Sequence, residues 1–164
     1  MSVRFNADEV FEIAEKMEQN AVGFYAAAAK AVDFPGARQL LQELSRWEEG
    51  HVRTFAALRK RLAEAAREAT AFDPDQQAAL YLQALTDKSV FNIDEDVTKT
   101  FGPRPSFAAV LRIGLGREKD AIAFYLGMKE LVPPHLGRDQ LDAIIKEEMQ
   151  HVVLLTEKLQ AAQA

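Results

Sequence analysis

The sequence predicts an all-α protein: four long helices packed as a bundle, built from two repeated helical hairpins, with a long crossover between them that carries a short extra helix. Three observations predict it. Apolar residues recur every three or four positions over long stretches, and no stretch alternates as a half-buried strand would. Gly and Pro are sparse, 8 and 6 among 164 residues, while Ala, Leu, Glu, Gln, Arg and Lys fill long runs and favour helix by intrinsic propensity. The segment around residues 18–51 returns 100 positions later, around 118–151, which marks a duplicated unit.

The first helix is expected from Asn6, where "NADE" opens like a capping box with Glu9 at its third helical position. Its stripe is Val10, Ile13, Ala14, Met17, Ala21, Phe24, Tyr25 and Ala28, and "DFPG" at 33–36 ends it. A second helix runs from about Ala37 toward Arg67 or beyond, striped by Leu41, Leu44, Val52, Phe55, Leu58 and Leu62. A short third helix starts with Asp73 as cap and Pro74 in the first helical position, where its missing N–H costs nothing. Residues 86–106 read as a connection, long enough to hold a helical turn of its own. The next long helix starts at about 104–106 and runs to Val132, and after "PPHLG" the last covers about Gly137 to Gln160. Its inward residues are Leu141, Ile144, Val152, Leu155 and Leu159.

Composition narrows the function. The chain is 48% hydrophobic and 27% charged, as in an ordinary globular protein, and is expected to form one domain over 1–164. A net charge of −5 argues against a nucleic-acid surface. No apolar run is long enough for a membrane span, and no secretory signal is visible at the N-terminus; the cytoplasm is the expected compartment. With no Cys, thiolate metal sites, iron–sulfur clusters and thiol redox chemistry are excluded.

The repeat carries the chemistry. "EQNAVGFY" (18–25) falls on "EKDAIAFY" (118–125), Glu48 on Glu148, His51 on His151, Leu41 on Leu141 and Arg38 on Arg138. Each copy has a Glu seven residues before a Tyr and, thirty residues after that Glu, a Glu-x-x-His. Residues three apart share a helix face, and these pairs lie on the apolar stripes of their helices. Glu18, Glu48, Glu118 and Glu148, with His51 and His151, are therefore expected to converge in the bundle centre. Burying several like charges together is costly unless a counter-charge is supplied. A metal ion supplies it, and carboxylate oxygen with imidazole nitrogen suits iron, manganese or zinc. The third His, His135, sits in a turn without an acidic partner at that spacing and is expected to be solvated. Glu12, Glu15, Glu49 and Glu147 fall off or beside the stripes and are expected to be solvated, although Glu49 and Glu147 each adjoin a candidate ligand, which leaves a carboxylate switch involving either as the alternative. Trp47, just before Glu48, fits either a cover over the site or a surface position.

In "EQNAVGFY", "WEEGH", "EKDAIAFY" and "EEMQH" the chain resembles the rubrerythrin-like branch of the ferritin-like superfamily, and the likeness covers nearly its whole length; "YLQALTDKSVF" is similar to the connecting region of such proteins. One Glu from each of two helices and a Glu-x-x-His from each of the others is the ligand pattern of ferritin-like di-metal carboxylate bundles. The resemblance implies a ferritin-like four-helix bundle holding two iron ions that react with hydrogen peroxide or dioxygen, as a peroxidase or ferroxidase. Its ligands would be Glu18, Glu48, His51, Glu118, Glu148 and His151, with Tyr25 and Tyr125 hydrogen-bonded to ligand carboxylates. Iron binding for storage, delivery or sensing without turnover is the alternative, and a helical interaction module with an unused site a third. The chain departs from rubrerythrin in two respects: it lacks the Cys-ligated iron of the rubredoxin domain, and Ala121 stands where an extra Glu is expected. An external electron donor is therefore expected. Apolar residues of the 74–91 segment, among them Leu80, Tyr81, Leu82 and Leu85, suggest a homodimer face, the alternative being packing of the crossover against its own bundle.

Overall fold

The computed structural model of the chain describes residues 7–65, 77–86 and 94–162. They form α1 (Ala7–Ala31), α2 (Pro35–Ala65), α3 (Gln77–Leu85), α4 (Phe107–Leu131) and α5 (Arg138–Ala161), with 3₁₀ turns at Val97–Lys99 and Pro134–Leu136. Among the described residues there is no strand, and no helix is long and apolar enough to cross a membrane. The expected caps Asn6, Asp73 and Pro74 lie outside the described residues.

The boundaries follow local chemistry. Helix α2 begins at Pro35, two residues before the expected Ala37, because proline at the first helical position gives up only an N–H that has no intrahelical partner. Ser106 caps α4: its hydroxyl accepts a hydrogen bond from the Ala109 N–H at 3.1 Å. The expected helical turn in the 86–106 connection is the 3₁₀ turn at Val97–Lys99.

The repeat is visible at the hairpin turns. Arg38 donates to the Val32 carbonyl at 3.2 Å, and Arg138 donates to the Val132 carbonyl at 3.3 Å and 3.0 Å. Both pairs are 100 residues apart, and both satisfy a carbonyl at a helix C-terminus. Thus the conserved spacing of Arg38 and Arg138 within the repeat is a clamp that closes each hairpin.

Two apolar layers are stacked along the bundle. The first contains Val10, Phe11, Ala14 and Met17 of α1, Phe55, Leu58 and Leu62 of α2, Phe124 to Leu131 of α4, and Leu141 to Ile145 of α5. The second contains Phe24, Tyr25, Ala28 and Ala29 of α1 with Val32 just beyond it, Leu41 and Leu44 of α2, Val110 and Leu111 of α4, and Leu155 of α5. Helices α1 and α5 thus run from the first layer to the second, while α2 and α4 run back. The crossover must traverse the bundle, and it does so by placing Leu82 of α3 in the first layer and Val97 in the second. Between the layers, on all four long helices, lie the buried charged residues.

Candidate metal centre

Glu18 of α1, Glu48 and His51 of α2, Glu118 of α4, and Glu148 and His151 of α5 are all buried. Each leaves its helix at the same level because the turns on either side fill the two apolar layers. His51 turns Nδ1 inward, 3.0 Å from Glu48 Oε2, 2.9 Å from Glu148 Oε1 and 3.6 Å from Glu18 Oε2. His151 does the same, with Nδ1 3.0 Å from Glu148 Oε2, 3.3 Å from Glu48 Oε1 and 3.6 Å from Glu118 Oε2. The ligand-type atoms fall into two groups, Glu18–Glu48–His51–Glu148 and Glu48–Glu118–Glu148–His151, each with its atoms within 4.8 Å of one another. Glu48 and Glu148 belong to both groups.

The tyrosines cross between hairpins. Tyr25 of α1 donates its hydroxyl to Glu118 Oε1 of α4, and Tyr125 of α4 donates to Glu18 Oε1 of α1. Both rings are fully buried. Gly114 leaves room for the first of these contacts, since a Cβ there would stand 3.0 Å from the Tyr25 hydroxyl.

The electrostatics show what such a cluster lacks. Burial pushes the Glu18 carboxyl well above the usual range, against the attraction of His51 and with help from the charges of Glu148 and Glu48. Burial likewise raises Glu118, against the attraction of His151. For the imidazoles burial acts downward, but the surrounding carboxylates outweigh it: His51 is raised by Glu148, Glu18 and Glu48, and His151 is raised to about 12 by Glu118, Glu148 and Glu48. Glu148 is held low despite burial because both imidazoles lie against its carboxylate. Tyr25 and Tyr125 are raised by burial and by the neighbouring carboxylates. Protons thus substitute for the positive charge that four buried carboxylates require.

The donor set fits two cations. With neutral imidazoles the four carboxylates carry a formal charge of −4, which two divalent ions cancel. Glu48 Oε1 and Glu148 Oε1 are buried and accept no hydrogen bond, although each lies within reach of an imidazole nitrogen. An orphaned buried acceptor is costly, and these two belong to the residues common to both groups. Beside them a cavity of about 20 Å³ is lined by Met17, Ala21, Arg117 and Ala121 together with Glu18 and Glu118, space for about one water-sized molecule.

The chain shares its fold with a Thermotoga maritima protein whose crystal structure is described as that of a candidate ferritin-like diiron-carboxylate protein. The TM-score is 0.70 at 17% identity, and 98% of each chain is covered. The Rubrerythrin family model matches residues 2–59, which take in α1 and most of α2. The chain has a ferritin-like fold, and its first hairpin is similar to rubrerythrin. No curated protein matches it.

Around the centre of this ferritin-like bundle, two outer residues extend the sequence reading. Trp47 stacks on His151, with ring centroids 5.4 Å apart and planes inclined by 12°, and is 45% exposed; it is a cover and a surface residue at once. Glu147, expected to be solvated with a carboxylate switch as the alternative, is exposed and also places Oε2 2.8 Å from Nε2 of His51. Its amphipathic position alone hides this role. Glu12 and Glu15 lie near Arg59 at 2.8 Å and 3.8 Å on the outside of α1, Glu49 is exposed, and His135 is exposed in its turn.

Proposed function

We propose that the chain binds two iron ions between the apolar layers and reacts with hydrogen peroxide or dioxygen, as a peroxidase- or ferroxidase-type oxidoreductase. The observation that supports this best is the pair of four-residue groups joined through Glu48 and Glu148. Six ligands would hold the ions: Glu18 and His51 on one side, Glu118 and His151 on the other, and Glu48 and Glu148 shared. Iron supplies one-electron redox changes and open coordination positions for a small oxidant.

The chain's own residues do the rest. Glu18, Glu48, Glu118 and Glu148 provide hard anionic oxygen, which favours the higher oxidation state. Tyr25 and Tyr125 hold Glu118 and Glu18 in orientation across the α1–α4 contact. The apolar layers flank the cluster on both sides, and the small cavity beside Glu18 and Glu118 has room for a molecule about the size of water. Reduction is then left to an external donor.

Anaerobic loading with Fe(II) should give two ions per chain, and stopped-flow mixing with peroxide and with dioxygen should show fast oxidation by at least one. Glu48→Ala and His151→Ala, with helicity unchanged by circular dichroism, should lose stoichiometric binding. A folded protein that takes up no iron overturns the reading. An Fe(II) form inert to both oxidants supports binding, storage or sensing without turnover instead. The homodimer expected from the 74–91 segment, where Leu80 and Tyr81 are exposed, is tested by light scattering.

A further inference from the structure

Inside the cluster the two halves match; outside they do not. The inward contacts of His51 and His151 correspond residue for residue, and so do the reciprocal tyrosine bonds. Positions 47 and 147 correspond too, each just before a shared glutamate, yet one is Trp and the other Glu. Each reaches the histidine of the opposite hairpin: Glu147 of α5 meets His51 Nε2 at 2.8 Å, and Trp47 of α2 lays its ring on His151.

We propose that Glu147 makes the two metal positions unequal, so that the position of Glu18, Glu48, His51 and Glu148 binds divalent metal more tightly and fills first. The inference rests on the two-metal reading above and adds which position leads, and why. An imidazole that coordinates through Nδ1 must carry its hydrogen on Nε2. A carboxylate accepting that hydrogen fixes the tautomer, holds the ring plane and raises the electron density at Nδ1, and outer partners of this kind are worth about 10–100-fold in metal affinity. Trp47 supplies no such acceptor, because an indole N–H only donates; its stacked ring orients His151 by contact alone. Glu147 is thus a positioning residue, acting through His51. Its side chain is 57% exposed, so it can be exchanged without opening the core.

The test is titration of the metal-free protein with Co(II), read by calorimetry and by anomalous scattering from crystals grown at one equivalent. The expected result is a two-step isotherm, with cobalt at one equivalent concentrated beside His51. Glu147→Ala should weaken that step by about 10–100-fold and leave the other within a factor of two. Glu147→Gln, which keeps an acceptor but not the charge, should fall between. Trp47→Glu should tighten the step at His151. Equal occupancy of both positions at one equivalent, or a Glu147→Ala variant that weakens both steps alike, overturns the inference while leaving two-metal binding intact. Failure to bind two ions at all overturns the two-metal reading and this inference with it.

Discussion

Tyr125 gives its hydroxyl hydrogen to Glu18 on the neighbouring helix, and Tyr25 returns the same bond to Glu118. Two buried carboxylates are thereby each held by a residue of the other hairpin. Tyr25→Phe and Tyr125→Phe should each remove one such donor and leave a buried carboxyl oxygen unpaired, at a cost of about 1–3 kcal/mol. Denaturant unfolding of the metal-free variants measures it, and the two losses should be similar because the bonds are equivalent. A loss confined to one variant would show that the reciprocity is not energetic.

Metal uptake should release protons. In the metal-free protein Glu18, Glu118, His51 and His151 all have raised affinities for a proton, and a ligand must shed its proton to bind metal. Calorimetry in buffers of different ionisation enthalpy should therefore report net release near neutral pH, including a proton from each imidazole. Affinity should fall as pH falls. Binding that is independent of pH between 6 and 8 would contradict the electrostatic description.

The stability of the metal-free protein should move the other way. His151, at about 12, and His51 lie above the ordinary 6.5, so their contribution is fully present below 6.5 and is lost as pH rises toward their folded values. Glu18 and Glu118, raised above 4.5, have the same sign: their contribution is present below 4.5 and declines above it. Glu148, lowered below 4.5, opposes them only on the acid side. Melting temperature in the presence of a chelator should hence decrease from pH 6 to pH 9, while the increment gained on adding metal should grow over the same range.

Gly137 joins the 3₁₀ turn to α5 with φ of 120°, and a Cβ there would stand 2.3 Å from Leu58 Cδ2. Gly137→Ala combines an unfavourable backbone conformation with a clash in the first apolar layer and should cost about 1–3 kcal/mol. Gly36→Ala is the matched control at the other hairpin. Its Cβ would meet only the ring of Phe34 at 3.1 Å, and Phe34 is 65% exposed and free to swing aside. Its effect should stay within about 0.5 kcal/mol.

Much of this architecture is legible before any coordinates, for a physical reason: repetition doubles each signal. A lone Glu48–His51 pair is weak, but Glu148 and His151 in the same register on the same kind of stripe show that burial, not surface chemistry, sets the spacing. Helix ends were less legible. Pro35 starts α2 where the "DFPG" break alone suggests Ala37, because proline both ends one helix and begins the next. Glu147 was hidden for a different reason. Stripe position reports whether a side chain faces the core, and Glu147 faces solvent; its contact with His51 comes from the opposite hairpin, across the bundle, where periodicity along one helix carries no information.

Joining the two hairpins in one polypeptide has a consequence for their history. Two identical, separate hairpins meeting about a true dyad would be obliged to carry the same residue at both outer positions, either indole and indole or carboxylate and carboxylate. After duplication and fusion that obligation is gone, and each copy can drift while the shared interior constrains both. The Trp47 and Glu147 pair is the kind of divergence that a symmetric ancestor could not have expressed.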